Sequence, residues 1–232
     1  MKSTFSRMAV VALTMWLGLA AGPAKADLIA AHGGQVVYDA GANLSWLANA
    51  NLAASNTFGL TYGTNYGNDI YGDPSVINSN GTATWGGAQK WISAMDAANY
   101  LGYSDWRLPT SDTCFVYNCT GSEMGNLFYN ELGGFAGISI LTRHNANLAL
   151  FQNVQSNQYW SGTEIAPYPY LAMYFNMFDG NQNENAKAST LFALAVRPGQ
   201  VTAAPEPETY AMLLAGLGLL GFTAWRRKDL AA

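Results

Sequence analysis

The C-terminal segment, residues 205–232, limits most strongly which part of the chain can form a folded domain. It has the pattern of a targeting sequence, so the folded part lies upstream of it. It opens with Pro205-Glu206-Pro207, continues with sixteen uncharged residues from Tyr210 to Trp225, and then presents Arg226-Arg227-Lys228. The prolines fix φ and disfavour helix before them, so they end the upstream fold. As a helix, the sixteen residues span about 24 Å against roughly 30 Å of bilayer hydrocarbon. The segment therefore predicts a short single transmembrane helix over 210–225, with the three cations as a membrane stop on the cytoplasmic side.

The first 26 residues have the composition of a secretory signal peptide. Lys2 and Arg7 precede an apolar stretch, and Ala24-Lys25-Ala26 places small residues at the two positions that signal peptidase reads. We expect export and a mature chain that begins at Asp27. The chain then consists of a signal peptide (1–26), an exported domain (27–204) and a sorting segment (205–232), and the exported part is long enough for one domain with its own core.

The order of Pro-Glu-Pro, short apolar segment and basic end resembles the PEP-CTERM proteins, a bacterial family. This resemblance implies processing by an exosortase, a membrane protease and transpeptidase that recognises the tail near Pro205, Glu206 and Pro207 and releases or transfers the upstream domain. The expected product is anchored transiently in the inner membrane and then reaches the cell surface or the extracellular matrix. A permanent C-terminal anchor requires the same helix and charges, so it stays an alternative.

The charge of the exported domain excludes a nucleic-acid binder. Five cations in residues 27–204 oppose twelve carboxylates, which gives a net charge of −7. Binding to a phosphate backbone requires a basic face that releases counterions, and five scattered cations do not supply one. The many Asn, Gly, Ser and Tyr residues instead predict a neutral, hydrogen-bonding surface, which suits extracellular polysaccharide as a partner.

Hydrophobic spacing predicts an α+β domain with two short helices and several short antiparallel strands. One helix begins after Thr84 and carries its apolar stripe to Ala98 and Leu101, and a second covers 122–132. The segment from Asn49 to Thr84 has no sustained period and predicts an irregular excursion. The predicted strands are 35–39, 43–47, 151–154, 159–164, 171–178 and 191–196, and we expect the last to return beside Val36–Tyr38.

Three motifs give the domain a family resemblance. They are Asp105-Trp106-Arg107-Leu108-Pro109-Thr110, Tyr159-Trp160-Ser161-Gly162-Thr163-Glu164 and Ala195-Val196-Arg197-Pro198-Gly199. With Val37-Tyr38-Asp39, Asn43-Leu44-Ser45-Trp46 and Glu123–Tyr129, their order resembles the Lcl C-terminal-like domain, a domain of unknown function that is common in PEP-CTERM proteins. More distantly, the chain is similar to the C-type-lectin-like fold of formylglycine-generating enzymes and related adhesins. The resemblance implies an α+β domain of that architecture.

Two interpretations of the motif residues follow from their chemistry. In the structural one, Trp106, Leu108 and Trp160 fill the core, and Arg107 and Arg197 form fork-shaped pairs with Asp105, Asp112, Glu123 or Glu164. In the functional one, Trp160 or a tyrosine lies on a surface that stacks against sugars.

Two further features carry candidate chemistry. Cys114 and Cys119 are the only cysteines, and in an oxidising compartment they predict a disulfide, with a redox or metal pair as the rival interpretation. Asp179, Asn181 and Asn183 place oxygens at alternate positions as the first half of a calcium loop does, but Glu184 occupies the glycine position and Thr190 the place of the final Glu. A polar hairpin turn explains the same residues.

The sequence contains no recognisable catalytic motif. His32, His144 and Ser161 lack a nucleophile-elbow pattern, and there is no P-loop, dinucleotide fingerprint or metalloprotease helix that would require a cofactor. We therefore expect a non-enzymatic adhesion or polysaccharide-associated protein. The alternative is an extracytoplasmic enzyme, either a hydrolase or an oxidase related to the formylglycine-generating enzymes.

Overall fold

Nine short strands form most of the regular structure in residues 28–201, which, with Ala215, are the residues that the computed structural model describes. The strands are β1 (Leu28–Ala31), β2 (Val36–Asp39), β3 (Leu44–Leu47), β4 (Thr82–Ala83), β5 (Gln158–Glu164), β6 (Leu171–Asn176), β7 (Asn181–Ala186), β8 (Leu191–Phe192) and β9 (Val196–Pro198). Two helices lie between β4 and β5, α1 (Trp85–Ala97) and α2 (Glu123–Gly125). The predicted α+β class, with largely antiparallel strands, is confirmed.

The first sheet has the order β1-β2-β3-β9 and is antiparallel throughout. The predicted strands 35–39 and 43–47 are present as β2 and β3, which pair as a hairpin with Val36 opposite Leu47. The last strand returns to this sheet, but it pairs with β3, where Trp46 faces Val196, and not with Val36–Tyr38. The predicted neighbour was wrong because β1, which the sequence did not reveal, already occupies the free side of β2.

The second sheet has the order β4-β8-β5-β6-β7. Its pairs are antiparallel except β5 and β8, which meet in parallel at Tyr159 and Phe192. The predicted strand 191–196 is divided between the sheets, since β8 joins this one and β9 the first. The predicted strand 151–154 is wrong: the segment forms one isolated bridge, Asn49 with Gln152, and Asn153 has a positive φ of 53°.

Helix α1 begins where Thr84 predicts it, and the Thr84 side chain accepts a hydrogen bond from the Gly87 N–H at 3.2 Å. The buried side of the helix is the predicted stripe from Ala88 to Met95. The stripe does not reach Ala98, which is exposed at the end of the helix, whereas Leu101 packs against the core from the 3-10 turn that follows Asn99, a residue with a left-handed φ of 49°.

The second predicted helix is present at its predicted place, with the Ser122 side chain capping α2. After one turn it continues as a π-helix over Asn126–Glu131, which buries Leu127 and Phe128. Gly125 is required there, because a Cβ at this position would lie 1.9 Å from the backbone oxygen of Cys119. The close approach joins the helix to the cysteine loop.

The segment between β3 and β4 is irregular, as predicted, apart from a short 3-10 turn at Leu52–Ala54. Further 3-10 turns are His32–Gly34, Tyr100–Gly102 and Ala146–Leu150. Among the described residues, the search for a helix long and apolar enough to cross a membrane finds none. The predicted signal peptide (1–26) and transmembrane helix (210–225) lie outside those residues.

Candidate functional site

The Trp-Arg-Leu-Pro motif lies at the junction of the two sheets. The backbones of Arg107 and Val196 exchange two hydrogen bonds of 2.9 Å, which attaches the motif to β9. The Pro109 oxygen accepts from the Ser161 Oγ and the Gly162 N–H, both at 2.8 Å, which attaches it to β5. The motif residues thus hold together strands that are distant in sequence.

The aromatic members of the motifs are buried. Trp106 and Leu108 are each 2% exposed, and Trp160 is completely buried, with its Nε1 donating to the Ala83 oxygen at 2.8 Å. The hypothesis that Trp160 forms a sugar-stacking surface is therefore wrong. Tyr159 is also buried; burial raises the pKa of its hydroxyl, which accepts from the Gln155 N–H at 2.8 Å.

Both motif arginines form two-point ion pairs. Arg107 contacts Glu123 through Nη1–Oε2 at 2.7 Å and Nη2–Oε1 at 2.6 Å, and this hydrogen bonding raises the pKa of Arg107. Arg197 contacts Asp105 through Nε–Oδ1 at 2.7 Å and Nη2–Oδ2 at 3.0 Å, with its guanidinium 3.9 Å from the centre of the Tyr103 ring. Both guanidinium groups therefore use their hydrogen bonds to stabilise the fold.

Glu164 pairs with a lysine and not with an arginine. Its Oε1 lies 2.9 Å from Nζ of Lys187, whose side chain is only 5% exposed although Glu164 is 47% exposed. The same ammonium lies 4.4 Å from the centre of the Trp85 ring. The Trp85 Nε1 donates to the Ser161 oxygen at 2.8 Å, so the indole is fixed in orientation.

Trp85, Glu164 and Lys187 line an open cleft of about 350 Å³. The irregular segment before β4 lines the same cleft through Ile70, which is 89% exposed, and Tyr71, which is 48% exposed. Pro169, in the loop between β5 and β6, lines the cleft as well. An aromatic and apolar surface with a small number of fixed polar groups is the usual composition of a ligand site.

Sequence reasoning did not find this cleft. It draws on four separated segments, and only Glu164 had been singled out. Trp85 gave no local signal, because it precedes Ala88 by three residues and Ile92 by seven, at the edge of the apolar stripe of α1, and it also packs against the core.

The predicted disulfide between Cys114 and Cys119 is confirmed. The loop that it closes presents Phe115, Val116 and Tyr117 to solvent. Val116 also pairs with the edge of β7, because it exchanges backbone hydrogen bonds of 2.8 and 2.7 Å with Gln182. The buried amide of Gln182 donates to the Cys114 oxygen at 2.7 Å.

The calcium candidates lie at the start of β7. The Asp179 Oδ1 accepts from the Asn181 N–H at 3.0 Å, and the Asn183 Oδ1 accepts from the Glu184 N–H at 2.9 Å. The turn between β6 and β7 occupies 177–180, whereas Asn181 and Asn183 belong to β7, so the predicted polar turn is wrong for both asparagines and holds for Asp179 alone. In the described range, no group of three or more His, Cys, Asp or Glu residues is arranged to hold a metal ion. The calcium site stays a prediction.

The residues considered for a hydrolase triad are engaged separately. The Ser161 hydroxyl donates to the Pro109 oxygen, the His144 Nδ1 lies 2.7 Å from the Ile140 oxygen, and the His32 Nδ1 lies 3.1 Å from the Gln35 Oε1. Each contact involves a different part of the fold. The geometry does not assemble these three residues into a nucleophile and its base.

Comparison with known protein families gives two matches. The family described as Lcl C-terminal domain matches residues 35–197, and the PEP-CTERM protein-sorting motif matches residues 203–228. The second range contains Pro205-Glu206-Pro207 and Arg226-Arg227-Lys228, which lie outside the described residues. Comparisons with curated proteins and with solved structures give no match.

Proposed function

The chain belongs to the Lcl C-terminal domain family and carries a PEP-CTERM sorting motif, and from this premise we propose that it is a non-enzymatic, polysaccharide-binding protein of the cell surface or extracellular matrix. The sorting motif marks it as an extracellular protein that is exported through the membrane and processed by an exosortase. The binding activity, the absence of catalysis and a C-type-lectin-like architecture are the proposed part.

The observation that carries the proposal is the cleft between Tyr71 and Trp85. Tyrosine and tryptophan rings offer apolar faces that cover the C–H surface of a sugar, and their polar edges remain hydrated. Ile70 and Pro169 extend that apolar surface, which the exported domain leaves open to solvent. A volume of about 350 Å³ lies within the roughly 300–1,000 Å³ typical of small-molecule sites.

The charges in the cleft favour a neutral ligand. Glu164 and Lys187 neutralise each other at 2.9 Å, and the nearby Asp69 adds a negative charge. An anionic polymer would approach a domain whose net charge is −7 without a free cation in the cleft to receive it. Neutral polysaccharides avoid this repulsion and offer hydroxyl groups to both members of the ion pair.

The non-enzymatic part of the proposal is supported by the engagement of the candidate groups. Cys114 and Cys119 are joined to each other, so neither thiol is available for the chemistry of a formylglycine-generating-type oxidase. Both motif arginines and Ser161 are bound within the fold. Among the residues that the structure describes, no specific arrangement favours the hydrolase alternative.

Affinity electrophoresis tests the proposal. The exported protein is run through gels that contain a neutral polymer (dextran, xylan, galactomannan or hydroxyethyl cellulose) or the acidic polymer alginate. We expect retardation by at least one neutral polymer. Tyr71→Ala should weaken it by about tenfold or more, which corresponds to the loss of one aromatic contact.

Tyr62→Ala is the matched control, because Tyr62 is also an exposed tyrosine of the irregular segment but does not line the cleft, and its hydroxyl donates to the Ala53 oxygen at 3.0 Å. It should bind as the unaltered protein does. The proposed cleft would be refuted if no polymer retarded the protein, or if the two variants lost retardation to the same extent.

A further inference from the structure

We propose that the polymer bound in the cleft continues along one face of β7, over a row of asparagine amides formed by Asn185, Asn183 and Asn181. The inference rests on the proposed function, since it extends the same site. It adds the shape of the ligand: a linear, uncharged chain that is longer than the cleft and runs parallel to the edge strand of the second sheet.

The row begins at the cleft itself. Lys187 follows β7 directly and continues its pairing, because its N–H donates to the Tyr170 oxygen at 3.0 Å. Its side chain lines the cleft. Alternate residues of a strand point to the same face, so Asn185, Asn183 and Asn181 follow Lys187 on one side of the sheet. At about 3.3 Å per residue, the row extends the site by about 20 Å.

Two of the amides are held in fixed orientations. The Asn183 Oδ1 accepts from the Glu184 N–H, and the Asn185 Oδ1 accepts from the Ala186 N–H, both at 2.9 Å. Each Oδ1 thus faces its own backbone, and the Nδ2 group is turned away from it. Within residues 28–201, neither Nδ2 donates to another protein atom. The strand therefore presents oriented donors, two residues apart, that suit hydroxyl and ether oxygens.

An aromatic side chain accompanies the row on the neighbouring strand. Tyr174 lies opposite Asn183 in the pairing of β6 with β7, and Asn176 lies opposite Asn181. Tyr174 is half-buried, so part of its ring area is open next to the amides. Aromatic surface beside fixed amide donors repeats the chemistry of the cleft.

The charge of β7 lies on its other face. Glu184 alternates with the asparagines and points to the opposite side, so the row between Lys187 and Asn181 is uncharged. This arrangement matches a ligand without charge. It also distinguishes the row from a cation site, because the amide oxygens that a cation requires are already bound to backbone N–H groups.

The test compares fragments of increasing length. Disaccharide, tetrasaccharide and octasaccharide fragments of the polymer that retards the protein most are titrated into the exported protein by calorimetry. We expect affinity to increase from the disaccharide to the octasaccharide. In Asn183→Asp/Asn185→Asp, the carboxylate oxygen still accepts from the backbone but the donors are lost, and the octasaccharide should bind about tenfold more weakly, because two hydrogen bonds are removed.

Disaccharide binding should be unchanged in this variant, because the cleft is intact. Ala186→Glu serves as the charge control, since it adds a negative charge to the opposite face of the same strand. The extended row is overturned if all fragment lengths bind with equal affinity, or if the double variant binds the octasaccharide as tightly as the unaltered protein does. Neither result contradicts binding in the cleft. If no polymer retards the protein in the electrophoresis above, the cleft and the row both fail.

Discussion

Val116 and Gln182 exchange two backbone hydrogen bonds, of 2.8 and 2.7 Å, and so connect the disulfide loop to the outer edge of β7. The loop thereby acts as a short extra strand at that position. The Gln182 side chain also donates to the Cys114 oxygen at 2.7 Å and to Oδ1 of Asp112, just before the loop, at 2.9 Å, so Gln182 holds the loop at two residues and the segment before it at a third. The cysteines therefore stabilise a contact between two regions of the domain, in addition to the loop itself.

Removal of the disulfide should lower stability and leave the cleft functional. A cross-link across five positions stabilises by about 2 kcal/mol on the chain-entropy model. For a domain of this size, Cys114→Ser/Cys119→Ser should then reduce Tm by about 4–8 °C in differential scanning calorimetry. Disaccharide binding at low temperature should persist, because the cleft lies at the other end of β7. Loss of binding with unchanged Tm would contradict this separation.

The backbone of Val116 is in an unfavourable conformation. Its φ is 75°, in the left-handed region, where a β-branched side chain costs roughly 1–2 kcal/mol. Val116→Asn keeps the N–H and C=O that bond to Gln182, and asparagine tolerates this region. The variant should unfold at a higher urea concentration, by about 1 kcal/mol in the free energy of unfolding. Phe115→Asn, at an exposed neighbour without a positive φ, should not show the gain.

The outer edge of β7 is protected by the disulfide loop and by two of its own side chains. Gln182 pairs with Val116, and the N–H groups of Glu184 and Ala186 are bonded by Asn183 and Asn185. An unprotected edge is a template for pairing with another chain. Asn183→Ala/Asn185→Ala should therefore increase self-association, measured by light scattering as a function of concentration. Asn181→Ala removes an amide without exposing one of these edge N–H groups, so this variant should not self-associate. Self-association of both variants would contradict the protective role of Asn183 and Asn185.

The sequence predicted elements with local determinants and missed those that depend on distant partners. The cap at Thr84 and the stripe from Ala88 to Met95 define α1 without reference to the rest of the chain. Half of β7 is Asn, which has a low strand propensity, so the extended form of the strand depends on pairing with β6. The same argument applies to the motif arginines: two fork-shaped pairs were expected, but which carboxylate each would meet depended on the packed fold.

Asp96 should make the free energy of unfolding depend on pH and decrease as pH rises. Burial raises the pKa of this carboxyl, and the charge of Asp105 raises it further, while the hydrogen bond from the Trp106 N–H to Oδ1 at 3.0 Å lowers it. A carboxyl with a higher pKa in the folded state binds its proton more tightly there. Its stabilising contribution is therefore complete below the ordinary value of 3.8 and is lost as pH rises through the raised value.

Asp96→Asn should consequently stabilise the protein at pH 7 and give no advantage near pH 3. Asn Oδ1 still accepts from Trp106, and removal of a negative charge from the last turn of α1 is favourable by about 0.3–1 kcal/mol through the helix dipole. Urea denaturation at the two pH values measures the difference. Asp96→Ala, which leaves the Trp106 N–H without its acceptor, should be less stable than Asp96→Asn at both. A gain for Asp96→Asn that is equal at pH 3 and pH 7 would mean that ionisation of Asp96 does not cause it, because the carboxyl is protonated at the lower pH.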